Sequence, residues 1–149
     1  NASILDLPDD LYGRFDIVTS LGVMLVFDDA DLPAYIDNVL KCLKPGGRAF
    51  IMSVFSNNGT DVVARWRHRI DGAPSDWVTD RNVYAFETVA ELLDGRCKDH
   101  RFVPFDLGME REKTNDPRRA WTLKTEFNEH QLVTGPNLLV DQYVLEIET

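Results

Sequence analysis

The hydrophobic pattern is most regular between residues 32 and 55, where a helical repeat gives way to a strand. Apolar residues recur at helical spacing on one face, at Leu32, Tyr35, Ile36, Val39, Leu40 and Leu43. Lys44-Pro45-Gly46-Gly47 predicts the end of this helix, since proline and glycine cannot continue it. Residues 49–55 follow and are apolar at both alternating sets of positions. This pattern predicts a strand covered on both faces, as in a parallel sheet between helices.

A second strand is predicted before the helix. Residues 15–20 contain a short apolar centre with β-branched Ile17 and Val18, and Gly22 permits an unusual turn after it. Strand, helix and buried strand in this order form a right-handed βαβ unit and predict an α/β fold. Upstream, residues 2–5 are predicted as a strand end and residues 7–10 as a turn.

The rest of the chain alternates predicted helices and strands without an internal repeat or a long linker, so residues 1–149 are predicted to form one domain. The further predicted elements are a helix carrying Val62, Val63, Trp66 and Ile70, a loop over 71–82, a helix over 83–93 ended by Gly95, a strand over 101–107, a half-exposed strand over 121–127, and a last strand through Tyr143, Leu145 and Ile147.

Composition narrows the functional classes. The chain has 149 residues, 44% apolar and 28% charged, which is enough for one hydrophobic core. Its net charge of −9 argues against a nucleic-acid partner, because phosphate binding needs clustered positive charge. The basic patch of Arg65, Arg67 and Arg69 is short, and we predict that it is a solvated helix face.

Cysteine usage and hydropathy bear on the compartment. Cys42 and Cys97 are too far apart for a zinc or redox motif, and Cys42 fits the buried face of the predicted helix. Reduced thiols suit a cytoplasmic protein. No apolar run approaches the roughly 18 residues needed to cross a bilayer, so no membrane partner is predicted.

Three motifs together resemble a known family. Phe15-Asp16-Ile17-Val18, Leu43-Lys44-Pro45-Gly46-Gly47 and the loop at residues 2–8 are similar, in order and spacing, to motifs of class I S-adenosylmethionine-dependent methyltransferases. The resemblance implies a Rossmann-like, doubly wound, mostly parallel sheet with an antiparallel last strand. It also implies that the chain is the C-terminal part of such a domain, incomplete at its N-terminal side. An N-terminal segment or a separate subunit would then complete the fold.

The resemblance also implies a cofactor site for S-adenosylmethionine. Ser3 and Ile4 would lie beside the adenine, and the backbone of Ser20, Leu21 and Gly22 would meet the methionine part. The alternative is that Gly22 serves only the geometry of a tight strand exit. Two features depart from the family: no GxGxxG stretch is present, and Leu25-Val26 stands where many members carry Glu-His.

The predicted acceptor site rests on the segment that follows the predicted strand at residues 49–55. Residues 56–82 are predicted to be a substrate-side insertion or lid, with Trp66, Trp77 and Tyr84 lining a pocket or serving as structural aromatics. A general base is needed only for an acceptor that arrives protonated. His68, His100 and His130 are the candidates, and His68 is preferred because its predicted helix leaves the ligand edge of the sheet.

These observations favour methyl transfer from S-adenosylmethionine to oxygen, nitrogen or carbon of a small molecule. No Asn/Asp-Pro-Pro-aromatic motif and no Pro-Cys pair points to nucleic acid as the acceptor. A non-catalytic methyltransferase-like interaction or regulatory module is the alternative, favoured by the missing glycine-rich loop. A third hypothesis is another doubly wound α/β enzyme that shares the βαβ unit, since fold alone does not fix function.

Overall fold

A five-stranded sheet forms the centre of the computed structural model, which describes residues 2–67, 69–70, 72–114, 120–134 and 141–148. The elements in chain order are β1 (Phe15–Leu21), α1 (Leu32–Cys42), β2 (Leu43–Ser56), β3 (Arg65–Trp66), β4 (Arg69–Ile70), β5 (Ala73–Pro74), β6 (Val78–Thr79), β7 (Tyr84–Ala85), α2 (Phe86–Leu93), β8 (Asp99–Pro104), β9 (Ala120–Leu123), β10 (Gln131–Thr134) and β11 (Asp141–Glu148). Two short 3₁₀ helices, Asp9–Leu11 and Met24–Val26, flank β1.

The strand directions confirm the predicted α/β class with an antiparallel last strand. The sheet order is β1-β2-β11-β8, and β7 pairs with the end of β2. β1 and β7 run parallel to β2, whereas β11 is antiparallel to both β2 and β8. Four strands therefore point in one direction, and the last strand in sequence is inserted between two of them.

Both α-helices pack on one face of this sheet. Ala49, Ile51 and Phe55 of β2 form one buried cluster with Tyr35, Ile36 and Val39 of α1, Val89 and Leu93 of α2, and Leu145 and Ile147 of β11. Full burial of a side chain of this size contributes roughly 1.5–3 kcal/mol, so this face supplies most of the hydrophobic stabilisation. Cys42 is also buried, as predicted.

The opposite face is only partly covered by the described residues. Phe50, Met52 and Val54 of β2 are half-buried, so the predicted burial of both faces is incomplete. On β1, Ile17 is 60% and Leu21 63% exposed. Within the described part of the chain, the outer edge of β1 pairs with no other strand.

The junction between α1 and β2 differs from the predicted helix stop. The helix ends at Cys42, and Leu43 already pairs with Phe15 as part of β2. The next pair is Ile17 with Arg48, so the segment between them bulges. Gly46 has a φ of 76°, and a Cβ on Gly47 would lie 2.9 Å from the carbonyl oxygen of Lys44. The glycine pair therefore shapes a strand bulge at a close backbone approach.

Several predicted boundaries and one predicted helix were wrong. Residues 2–5 form a turn with an isolated Ser3–Asp6 bridge and not a strand end, and β3 and β4 replace the helix predicted through residues 62–70. Three elements have other bounds than predicted: α2 begins at Phe86 and not at 83, β8 covers 99–104 and not 101–107, and β9 ends at Leu123. The predicted solvated helix face of Arg65, Arg67 and Arg69 therefore does not exist, because the first and last of these residues lie in short strands.

Candidate functional site

The carboxyl ends of the parallel strands share one edge of the sheet. β1 ends at Leu21, β2 at Ser56 and β8 at Pro104, and a long connecting segment follows each strand. Ligands in open α/β sheets bind at this edge, because the loops that leave it can differ without disturbing the core. The candidate site therefore consists of the described residues of the three segments that leave this edge, 22–31, 57–85 and 105–134.

The first segment turns sharply at Gly22. Its φ is 68°, and no atom lies within 4 Å of the position that a Cβ would take. Its backbone N–H donates a hydrogen bond of 2.8 Å to the carbonyl oxygen of Met52. This bond ties the end of β1 to β2, and open space remains beside the turn. Met24 then enters the core and is fully buried.

The second segment returns across the first and holds it in place through Asn82. The side-chain amide of Asn82 donates to the carbonyl oxygen of Phe27 at 2.6 Å and accepts from the backbone N–H of Ala64 at 2.9 Å. Its backbone N–H also donates to Leu25 at 2.8 Å. Because Asn82 is fully buried, these bonds have no competition from water.

Tyr84 reinforces the same contact. Its hydroxyl donates to the carbonyl oxygen of Phe27 at 2.8 Å, and its ring is 1% exposed. Burial raises the pKa of Tyr84, and the carboxylates of Asp28, Asp29, Asp61 and Asp31 raise it further. The phenol therefore stays protonated at neutral pH, which makes it a hydrogen-bond donor and not a general base.

A cavity of about 470 Å³ lies where the first two segments meet the start of α2. Its polar lining is mainly acidic and includes Asp29, Asp61 and Glu91. Asp61 is fixed by two donors, the backbone N–H of Ala85 at 2.6 Å and the hydroxyl of Thr88 at 2.7 Å. A carboxylate at this position also complements the positive N-terminal end of α2.

The residues predicted to bind the cofactor fall into two groups. Ser20, Leu21 and Gly22 lie at the carboxyl edge, where the side chain of Ser20 accepts a hydrogen bond of 2.7 Å from the Tyr35 hydroxyl. The Ser3 hydroxyl accepts from the backbone N–H of Leu5 at 3.2 Å within a turn. The carbonyl oxygen of Ile4 accepts from the Asn38 side chain of α1 at 2.8 Å, so this turn is attached to that helix.

The predicted substrate residues also separate. Tyr84 borders the acidic cavity. Trp66 lies on β3 in register with Val78 of β6, next to Trp77, which is 59% exposed. The Arg67 guanidinium carbon lies 4.6 Å from the centre of the Trp77 ring, a cation–π contact. The predicted catalytic residue, His68, lies outside the described residues.

The third segment carries a histidine–aspartate contact that the sequence did not reveal. The Nδ1 atom of His130 lies 3.0 Å from Oδ1 of Asp106. The two residues are 24 positions apart, and Leu107 separates Asp106 from Gly108, whose backbone N–H donates to Asp106 at 2.7 Å. His130 was one of three histidines considered, and no local motif distinguished it. Asn82 likewise had no sequence signal beyond its place in a loop.

Two negative observations apply to the described part of the chain. Among residues 2–67, 69–70, 72–114, 120–134 and 141–148, no group of three or more His, Cys, Asp or Glu side chains is arranged to hold a metal ion. No helix there is long and apolar enough to span a membrane.

The chain has no match in the comparisons by sequence, but it matches solved structures by fold. No protein-family model matches the chain, and no curated protein sequence matches it. Solved structures resemble it over nearly its whole length. The first is a SAM-dependent methyltransferase from Methanosarcina mazei, with a TM-score of 0.54, 12% identity, and coverage of 99% of this chain and 65% of that structure.

Two further structures agree with the first. The glycopeptide N-methyltransferase MtfA, complexed with S-adenosyl-L-homocysteine, has a TM-score of 0.52 at 15% identity and covers 100% of this chain and 60% of its own. TehB from Haemophilus influenzae has a TM-score of 0.50 at 11% identity, covering 99% of this chain and 39% of its own. This chain thus spans between two fifths and two thirds of these structures. At such low identity the likeness shows the fold, which is that of the class I methyltransferases.

Proposed function

We propose that this chain is the C-terminal part of an S-adenosylmethionine-dependent methyltransferase that acts on a small molecule. The observation that carries the proposal is the strand order, in which the antiparallel β11 lies between β2 and β8. The resemblance of the chain to solved SAM-dependent methyltransferases, over 99% and 100% of its length, supports the proposal. MtfA was crystallised with S-adenosyl-L-homocysteine, which supports the same cofactor class here.

In this proposal the end of β1 holds the methionine part of the cofactor. The positive φ of Gly22 and the open space beside it allow a ligand to approach the backbone closely. Because the N–H of Gly22 is already bonded to Met52, this N–H is not free for a ligand, which would instead meet the backbone of Ser20 and Leu21 beside the turn. When bound, the cofactor supplies an electrophilic methyl group, and the chain's residues orient the acceptor and exclude water.

The proposed methyltransferase needs a further segment or subunit at the outer edge of β1. Ile17 and Leu21 are exposed on this strand, and its outer edge is unpaired within the described residues. Additional parallel strands would cover these side chains and bring the glycine-rich loop that the 149 residues lack. The proposed partner is therefore a strand-forming segment and not a nucleic acid or a membrane.

The class of acceptor follows from charge and space at the carboxyl edge. The cavity beside α2 has a volume typical of small-molecule sites, and its carboxylates repel polyanions. The net charge of −9 acts in the same direction. Residues 56–82 are proposed as the lid over this edge, with Trp66 on β3 and Trp77 immediately before its partner strand β6. The free thiols of Cys42 and Cys97 favour a cytoplasmic location.

A non-catalytic methyltransferase-like module is the second candidate. Leu25 and Val26 take the place of the polar pair found in many members of the family, and the Gly22 N–H is satisfied internally. Calorimetric titration with S-adenosyl-L-homocysteine separates the two candidates. Saturable binding by the protein expressed from its complete reading frame supports the enzyme, whereas no heat and no thermal shift at millimolar ligand support the module.

A further inference from the structure

We propose that His130, oriented by Asp106, is the general base that accepts the proton of a hydroxyl-bearing methyl acceptor. This inference rests on the proposed methyltransferase function and adds the substrate class and the proton acceptor to it. It replaces His68 with a histidine whose partner and position the structure describes.

The position of the pair places it at the ligand edge. β8 runs parallel to β1 and β2, because both β2 and β8 are antiparallel to β11. Asp106 follows the end of β8 by two residues, so it leaves the same edge as Gly22 and Ser56. His130 immediately precedes β10, which pairs with β9 and brings the ring back to Asp106.

The hydrogen bonds of the pair define which ring nitrogen is basic. Oδ1 of Asp106 accepts from the backbone N–H of Gly108 and faces Nδ1 of His130 at 3.0 Å. A carboxylate accepts and cannot donate, so the proton of the neutral ring belongs on Nδ1. The lone pair is then on Nε2, and Asp106 also stabilises the imidazolium that forms when Nε2 takes a proton.

The ring borders a second cavity, distinct from the one beside α2, and we place the acceptor hydroxyl there. A cavity of about 250 Å³ is lined by His130 together with Glu110, Thr122, Leu123, Lys124 and Glu129. The charged side chains in this lining are Glu110, Lys124 and Glu129, and Asp106 contacts the ring itself. Lys124 lies 3.0 Å from Glu129 and is neutralised by it. The remaining carboxylates disfavour an anionic acceptor, so a neutral hydroxyl fits the site.

The chemistry balances without a further reactant. The acceptor hydroxyl loses its proton to Nε2 of His130 as its oxygen bonds to the methyl carbon, and the carbon–sulfur bond breaks with its electron pair remaining on sulfur. The products are a methyl ether, the thioether S-adenosyl-L-homocysteine and an imidazolium, which releases its proton to water. Asp106 acts as a positioning residue in this step.

Two variants separate catalysis from a structural role. His130→Asn places an amide N–H where Nδ1 was, so it keeps the donor to Asp106 and removes Nε2. Asp106→Asn keeps the shape of the carboxylate and removes its charge. Nitrogen-15 NMR of labelled histidine at neutral pH reads the tautomer directly. We expect the Nδ1–H tautomer in the wild-type protein and a shift towards Nε2–H in Asp106→Asn.

Turnover is measured with the protein expressed from its complete reading frame, S-adenosylmethionine and a panel of simple phenols and catechols. We expect His130→Asn to lower kcat about 100-fold or more, with affinity for S-adenosyl-L-homocysteine and melting temperature unchanged. An Nε2–H tautomer in the wild type, or wild-type turnover by His130→Asn, overturns the inference. So does cofactor binding without methylation of any hydroxyl in the panel. Absence of cofactor binding instead overturns the proposed function.

Discussion

The side-chain amide of Asn82 donates a hydrogen bond of 2.6 Å to the carbonyl oxygen of Phe27, which is 55 residues away in sequence. This bond joins the loop after β1 to the segment that leads into α2. The bond is fully buried and is accompanied by the parallel bond from Tyr84. The geometry of the carboxyl edge therefore depends on a few polar contacts as well as on the hydrophobic core.

Replacing Asn82 with alanine should destabilise the protein. The change leaves the Phe27 carbonyl with one donor fewer and the Ala64 N–H without an acceptor, at a cost of about 2–4 kcal/mol for the two buried groups. Urea unfolding followed by circular dichroism measures the loss. The exposed Asn57→Ala is the matched control and should change stability by less than about 0.5 kcal/mol. Equal effects of the two variants would mean that the contact is not stabilising.

Alanine substitutions at the two glycines of the bulge in β2 should destabilise the protein for different reasons, a steric clash at Gly47 and an unfavourable backbone conformation at Gly46. A Cβ at Gly47 would lie 2.9 Å from the Lys44 carbonyl oxygen and 3.1 Å from that of Phe15, so both strands must move in Gly47→Ala. In Gly46→Ala the new Cβ lies in open space, so the only cost is that of holding alanine at a φ of 76°, roughly 1–2 kcal/mol. Differential scanning calorimetry should rank Gly47→Ala as the less stable variant, and the reverse order would refute the predicted backbone contact.

The ion-pair cluster on the partly covered face should be sensitive to neutralisation at its centre. Glu146 is 9% exposed and accepts from Arg101 Nε at 2.8 Å, while its other oxygen lies 2.8 Å from Arg48. Glu146→Gln should cost about 1.5–3 kcal/mol in chemical denaturation, since charged hydrogen bonds are lost from a nearly buried group. Glu148→Gln, the more exposed neighbour, should cost much less. Similar losses would show that burial of Glu146 does not matter.

Stability should fall in alkaline solution because of Tyr35. Burial raises its pKa from 10.0 to about 12, although the hydrogen bond with Ser20 acts in the opposite direction. The unfolded chain loses this proton first, so the contribution is complete below pH 10 and disappears as pH rises towards 12. The total is about 3 kcal/mol.

Urea titrations at intervals from pH 8 to pH 11 test this prediction. Tyr35→Phe should begin about 1 kcal/mol less stable at pH 8, having lost the bond to Ser20, and should then decline less steeply. Some decline should remain, because the pKa of Tyr84 is raised as well. Parallel curves for the wild type and Tyr35→Phe would contradict the assignment.

The sequence predicted the centre of the fold because hydrophobic periodicity determines it locally. The stripe from Leu32 to Val39 forms the buried face of α1. The apolar run 49–55 lies within β2, but this strand begins earlier, at Leu43, and buries only one face fully. The helix predicted over residues 62–70 was wrong because that prediction also relied on local periodicity. Val62 and Trp66 have helical spacing, but Val62 bridges to Val83 and Trp66 pairs with Val78, so tertiary pairing overrides the local preference.

The site was less predictable than the fold because its contacts join distant parts of the chain. The contact of Asp106 with His130 depends on the β9–β10 hairpin returning the histidine to the end of β8. Nothing in the residues beside either side chain encodes this return. The positions named from the family motifs, such as Ser3 and Gly22, were instead found by short-range patterns, and their contact with a cofactor remains a prediction.

The proposed cofactor site is tested most directly by titrating S-adenosyl-L-homocysteine into matched glycine variants of the protein expressed from its complete reading frame. Gly13 and Gly22 have φ of 62° and 68° and open space around them, but they lie at opposite ends of β1. Alanine should strain both backbones equally, so any difference in binding reflects position. We predict that Gly22→Ala weakens binding at least tenfold while Gly13→Ala binds like the wild type. Equal affinities for the two variants, or no binding by the wild type, would contradict it.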